Sequence, residues 1–152
     1  MTFYAQPRMT RDIDLVVELG PADASRLVAA FESDFDCDLE EVSAAVNARR
    51  MFNFIHVERV VKVDFIVRKE APFRVEEFKR RRMLKLGEVP IWVVSPEDLL
   101  LSKLVWAQPT HSELQLRDIR NILVSVTSLD WGYLRRWAGD LGVDELLAEA
   151  RQ

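Results

Sequence analysis

Arg11-Asp12-Ile13-Asp14-Leu15-Val16-Val17-Glu18-Leu19 is the stretch on which the fold turns. Ile13, Leu15 and Val17 alternate with Asp12, Asp14 and Glu18 around Val16, a period of two over a β-branched run, which predicts a strand. Alternation sends Asp12 and Asp14 to one face and Ile13 and Leu15 to the other. Two carboxylates about 7 Å apart along a strand repel each other unless something cationic lies between them. Oxygen-only ligands favour magnesium or manganese over zinc. A second strand is predicted over Val60 to Val67, where Asp64 is a charge inside an apolar run and so a candidate third ligand or general base. A plainer reading of the same residues puts Asp12 and Asp14 in solvent on an edge strand and pairs Asp64 with Arg8 or Lys62.

Outward from this strand, Gly20 and Pro21 end the extended run, and Leu27, Val28, Ala30 and Phe31 recur at helical spacing, with Pro21 suited to the first turn. Phe35 to Leu39 alternates with acids as a short edge strand does, and an acidic edge limits aggregation. Glu40 to Arg50 reads as a helix with Val42 and Val46 on one side. Phe52 to Glu58 and Val60 to Val67 predict an antiparallel hairpin turning near Glu58–Arg59, in which His56 has a structural place. Phe73 to Leu86 is expected to be a helix closed by Gly87, which would array Lys79, Arg80, Arg81, Arg82 and Lys85 as a basic cluster anchored by Phe78 and Met83. Such a cluster is suited to a phosphate backbone or a triphosphate, or to a solvated helix face.

Pro90 to Val94 is expected to be a short buried strand. Ser95-Pro96-Glu97-Asp98 is a strong helix start, with a capping serine, proline at the first helical position and two acids at the positive end of the dipole. That helix should reach Ala107. Further helices are predicted over Ser112 to Val126, Trp131 to Leu141 and Val143 to Ala150, the last two separated by Gly142. Leu100, Leu104, Leu123, Leu134 and Leu141 are the core candidates, and the four tryptophans are assigned to core or interface. Strands early and helices late give an α+β fold. It is expected as a single domain over residues 1–152, with a sheet-bearing core at 1–94 and a helical section packed on it at 95–152.

The 152 residues are 49% hydrophobic and 30% charged, with 5 Gly and 6 Pro, which excludes a disordered or collagen-like chain. Lys and Arg total 21 against 25 Asp and Glu, so the net charge of −4 gives no global attraction to polyanions. The one cysteine, Cys37, cannot close an intrachain disulfide. Apolar runs stay far short of the ~18 residues of a membrane span, and no signal pattern opens the sequence. A cytoplasmic protein with no membrane partner is expected.

Several segments carry a resemblance. Pro7-Arg8-Met9-Thr10-Arg11-Asp12-Ile13-Asp14 resembles the Arg-x-Thr-x-Asp-Ile-Asp signature of the nucleotidyltransferase superfamily, in its bacterial branch related to the AbiEii toxins and small stand-alone nucleotidyltransferases. Lys62-Val63-Asp64-Phe65 resembles its third-carboxylate strand. Ser95-Pro96-Glu97-Asp98-Leu99 with Lys103-Leu104 resembles its Pro-Glu-Asp-Leu helix, and Gln115-Leu116-Arg117-Asp118-Ile119 its Arg-Asp-Ile helix. The resemblance spans about Tyr4 to Leu147. It implies a nucleotidyltransferase-like mixed sheet flanked by helices, with a C-terminal helical section.

For chemistry, the resemblance implies Mg²⁺ (or Mn²⁺) on Asp12, Asp14 and Asp64, with Asp64 also available to take the proton of an attacking hydroxyl. Arg8, Thr10, Lys103 and Asp118 are assigned to the nucleotide. The reaction implied moves a nucleoside monophosphate from a nucleoside triphosphate to a hydroxyl acceptor, RNA or protein, and an antitoxin-type protein is an expected partner. Members of the superfamily usually carry an upstream Gly-Ser or Gly-Gly element whose amides hold the phosphates. No glycine precedes Gly20 here, so impaired transfer is expected. The alternative is a noncatalytic binding module on the same fold, as one component of a toxin–antitoxin pair.

Overall fold

The structure, a computed structural model, describes residues 12–59 and 61–151. Within them the chain divides into two compact units, 12–78 and 79–151.

The first unit begins with β1 (Asp12–Val17), two residues narrower at its end than the alternation suggested. Pro21–Asp23 forms a single 3₁₀ turn leading into α1 (Ala24–Phe31), and the Gly20 N–H donates to Asp23 Oδ2 at 2.8 Å. Next come β2 (Phe35–Asp36), α2 (Leu39–Asn47), β3 (Met51–His56) and β4 (Lys62–Val67), and α3 (Pro72–Lys79) ends at the boundary between the units. Asp38 caps α2, its Oδ1 accepting from the Glu40 and Glu41 N–H groups at 2.7 and 3.0 Å, so the acidic run has a local use as a helix start. The β3–β4 turn is held by His56, whose Nδ1 accepts from the Glu58 and Arg59 N–H groups at 3.1 and 3.2 Å, the structural place expected for it.

The four strands form one mixed sheet in the order β1-β4-β3-β2, with β1 parallel to β4 and the other pairs antiparallel. One face is dry. Phe52, Phe54, Val63, Phe65 and Val67 are buried with Ala24 and Val28 of α1 and Val42, Ala45 and Val46 of α2. Phe52 and Phe65 stack with ring centroids 5.1 Å apart, and Phe54 lies 4.8 Å from Phe65. Full burial of each such side chain is worth about 1.5–3 kcal/mol, so this cluster sets which way every strand residue points.

In the second unit, β5 (Arg82–Leu86) and β6 (Val89–Val93) form a separate antiparallel hairpin, followed by α4 (Pro96–Ala107), α5 (Glu113–Ser125), α6 (Trp131–Leu141) and α7 (Asp144–Ala150). Leu100, Leu104 and Leu134 lie in the core with Leu101, Ile119 and Ile122, as do Val143, Leu146 and Leu147. Leu123 and Leu141 are only half-buried. Gly142, at φ +68, is the left-handed cap of α6, and its N–H bonds back to Ala138 and Gly139, which explains the break there.

The helix expected from Phe73 to Leu86 is corrected. It stops at Lys79, and after Arg80 and Arg81 the chain runs on as strand β5. Gly87, at φ +62, opens a two-residue hairpin loop between the paired Leu86 and Val89 rather than closing a helix. β6 is exposed or half-buried along its length rather than buried, and Trp92 is 57% exposed. Together these elements make an α+β chain with a mixed sheet flanked by helices and a C-terminal helical section. Among the described residues, no helix is long and apolar enough to cross a membrane.

Candidate nucleotidyl-transfer site

The face of the sheet opposite the phenylalanines carries the acids. Parallel register sets Asp14 beside Asp64 and Asp12 beside Lys62, and antiparallel register sets Asn53 on the far side of Asp64. Side chains two apart on a strand share a face, so Asp12, Asp14, Asp64, Lys62 and Asn53 all project from one side of three adjacent strands. The same alternation that buries Phe65 and Val63 turns Asp64 outward.

Asp64 is nevertheless 7% exposed. Its Oδ2 accepts from Lys62 Nζ at 2.9 Å, and its Oδ1 is buried without a hydrogen bond. Lys62 is thus the neighbour that the plainer reading named. The hydrogen bond to Asp64 is the main cause that holds the Lys62 pKa above the ordinary lysine value. Partial desolvation opposes it, and the charges of Asp64, Asp12 and Asp14 reinforce it. The donors suit a hard divalent cation in kind, being carboxylate oxygens on one face with one buried oxygen open. As the side chains stand, no group of three His, Cys, Asp or Glu among the described residues is arranged around a common point to hold one.

In the second unit, Lys103 on α4 and Asp118 on α5 meet in the interior. Lys103 Nζ donates to Asp118 Oδ2 at 2.9 Å and to Gln115 Oε1 at 3.0 Å. Lys103 is 6% and Asp118 1% exposed. The two charges therefore meet inside the helical packing rather than at the surface. Gln115, one turn before Asp118, was quoted in the sequence only as part of a motif. Its i, i+3 spacing from Asp118 was the available signal that both side chains leave the same side of α5.

The basic cluster does not form one face. Arg80 Nε donates to Asp98 Oδ2 at 3.1 Å, with Glu97 at 3.6 Å from its other end. Arg82 pairs with Glu97 at 3.5 Å, and the Arg81 guanidinium lies 4.9 Å from the Trp92 ring centre. Burial alone would lower the Arg80 pKa, but the charge and hydrogen bond of Asp98 outweigh it and raise it. A helix would have arrayed these bases together, whereas Lys79 ends α3, Arg80 and Arg81 lie in the connection, and only Arg82 and Lys85 are on β5. Arg8 and Thr10 lie outside the described residues.

Over residues 1–120 the sequence matches the family described as nucleotidyl transferase AbiEii toxin, type IV TA system. The chain belongs to the AbiEii family. No curated protein matches it. The AbiEii match covers β1 and β4, which carry Asp12, Asp14 and Asp64, and extends through α4 and most of α5, which carry Lys103 and Asp118. This AbiEii-family chain is therefore a nucleotidyltransferase-like member of a toxin–antitoxin family, and both of its acid-bearing regions lie inside the segment that defines the family.

Proposed function

We propose that this chain transfers a nucleoside monophosphate from a nucleoside triphosphate to a hydroxyl of RNA or protein, with Asp12, Asp14 and Asp64 binding Mg²⁺ or Mn²⁺. The observation that carries the reading is the register that sets Asp14 directly beside Asp64, with Asp12 on the same sheet face. Magnesium held by such carboxylates supplies charge neutralisation toward a triphosphate and Lewis acidity toward oxygen. The buried Oδ1 of Asp64, without a hydrogen bond, is the atom assigned to receive the acceptor hydroxyl's proton. The acceptor oxygen then bonds to the α-phosphorus, the α–β anhydride bond breaks, and pyrophosphate leaves. In the second unit, Asp118 and Gln115 fix the Lys103 ammonium. An antitoxin partner is proposed on family membership.

The test is incubation with each labelled triphosphate, total RNA and protein, in Mg²⁺ and in chelator, for wild type, Asp12→Ala and Asp14→Asn. Labelling that requires the metal and disappears in both variants supports the proposal. The Lys62–Asp64 ion pair favours a second reading, a noncatalytic module whose acids are neutralised internally. Absence of labelling with every triphosphate and acceptor would decide for it.

A further inference from the structure

Among the described residues, β5 and β6 make a sheet of two strands, so each strand has an outer edge. A two-residue loop closes on a hydrogen-bonded pair, and bonded and non-bonded pairs alternate along an antiparallel ladder. Leu86 and Val89 flank the loop, so the bonded pairs are Leu86 with Val89, Leu84 with Ile91 and Arg82 with Val93. Met83 and Lys85 therefore turn their main-chain groups away from β6, and Trp92 and Pro90 turn theirs away from β5. The β6 edge is blunted, because Pro90 has no N–H to offer. β5 has no proline, and its edge keeps both outward donors. Exposed apolar side chains surround it, with Met83 at 58%, Leu86 at 62% and Trp92 at 57%. Such an edge is a template for another strand.

Charge decides which strand fits. Like charges directly opposite each other are destabilising, and the bases of β5 are Arg82 and Lys85. When β5 pairs antiparallel with β5 of a second copy, hydrogen bonds form only where outward residues meet outward residues. A two-fold axis at Met83 sets Arg81 opposite Lys85, and an axis at Lys85 sets lysine opposite lysine. An axis at Leu84 sets Met83 opposite Lys85, Arg82 opposite Leu86 and leucine against leucine, and no base faces a base. That register also carries the loop with Glu88 toward the end of the other β5 that Arg80 and Arg81 precede, an approach of opposite charges. Arg82 keeps Glu97 at 3.5 Å on its own chain, and the stems of Arg82 and Lys85 cover apolar side chains of the other copy. We infer that β5 pairs with β5 of a second copy of this chain about a two-fold axis at Leu84, joining the two hairpins into one continuous sheet. The two Met83–Lys85 pairs exchange about four main-chain hydrogen bonds. A single short strand is a small interface, so the dimer dissociates at on the order of 10 μM. The inference is independent of the transfer reaction.

Sedimentation equilibrium of the 152-residue chain, from about 1 to about 500 μM to span that value, tests it together with amide hydrogen exchange. Wild type should dimerise, and the Met83 and Lys85 amides should exchange more slowly as concentration rises. Lys85→Pro removes an outward N–H without breaking a bond between β5 and β6, and should weaken the dimer about tenfold. Met83→Lys sets a lysine opposite Lys85 of the second copy on both sides of the axis, and should weaken it about tenfold as well. Met83→Lys/Lys85→Glu makes both of those pairs attractive and should bring association back to near the wild-type value. Urea unfolding of each variant confirms that the hairpin variants stay folded, and the recovery in the double variant is a result that misfolding does not produce. A wild type that stays monomeric, or a dimer indifferent to Met83→Lys and Lys85→Pro, overturns the inference. So does a double variant no better than Met83→Lys. Protection of the Met83 and Lys85 amides that does not change with concentration assigns the edge to another segment of the same chain and overturns it too.

Discussion

Replacing Asp118 by leucine should be among the most destabilising single changes on the surface-remote side of α5. The substitution removes the carboxylate 2.9 Å from Lys103 Nζ, where the two side chains are only 7% and 2% exposed, and leaves the ammonium with Gln115 Oε1. Breaking a buried pair from one side leaves an uncompensated charge in a poorly solvated place and costs about 3–5 kcal/mol. For a chain of this length each kcal/mol lowers the melting temperature by about 2–4 °C, so a fall of about 6–20 °C is expected, with a matching drop in the urea midpoint. Lys103→Met should also destabilise, since it takes the ammonium away from the buried Asp118 carboxylate. The double variant Lys103→Met/Asp118→Leu removes both charges and should recover most of the loss, because apolar replacement of a whole buried pair is often near neutral. A cost under about 1 kcal/mol for either single variant would refute the claim that the pair is dry and coupled.

Tyr133→Phe removes the hydroxyl that donates to Asp98 Oδ1 at 2.5 Å in a buried network also fed by Ser95 Oγ and Arg80 Nε. A hydrogen bond to a charged group is worth about 1.5–3 kcal/mol, a loss readable by urea unfolding. Gly142→Ala places a side chain at φ +68 and should cost about 1–2 kcal/mol, whereas alanine at Gly139, where an added Cβ meets nothing within 4 Å, should be neutral or mildly stabilising. The Lys62 pKa is raised, so its favourable charge is fully present below the unfolded lysine value of about 10.4 and is lost as pH climbs through the higher folded value. Its side-chain NMR titration should therefore run late in wild type and return toward the ordinary lysine value in Asp64→Asn.

Where one local signal dominated, sequence and structure agree closely. Ser95 accepts from the Asp98 N–H at 3.1 Å, and α4 ends at Ala107 as expected, because proline, serine and two acids all state the same boundary. The hairpin of β3 and β4 was legible because dense β-branched and aromatic residues leave no helical alternative over so short a span. The segment from Phe73 to Leu86 was not. Its charges suit a helix as well as an exposed strand, and both give Gly87 a place, one as a helix cap and the other as a hairpin loop residue. What separates them is the pairing of Met83 with Trp92 and Leu84 with Ile91, a non-local fact. For the site, the face shared by Asp12 and Asp14 followed from period two, but the contact of Lys62 with Asp64 depends on rotamers that spacing does not set. The burial of Lys103 and Asp118 depends on how α4 meets α5 and likewise has no signature in either helix alone.

The placement of the acids follows from the placement of the phenylalanines. Asp64 lies between Val63 and Phe65, and a shift of β4 by one residue against β3 would exchange them, burying the carboxylate among aromatic rings and exposing Phe65. The stacked pair of Phe52 and Phe65 and the close approach of Phe54 resist that shift by several buried side chains' worth of transfer free energy. No carboxylate contact has to hold the register. The acids of the opposite face can thus repel one another in a way that a fold dependent on them could not tolerate. Lys62 relieves part of that repulsion. Stability is supplied on one side of the sheet, the acids of the proposed site stand on the other, and the two are tied through strand alternation.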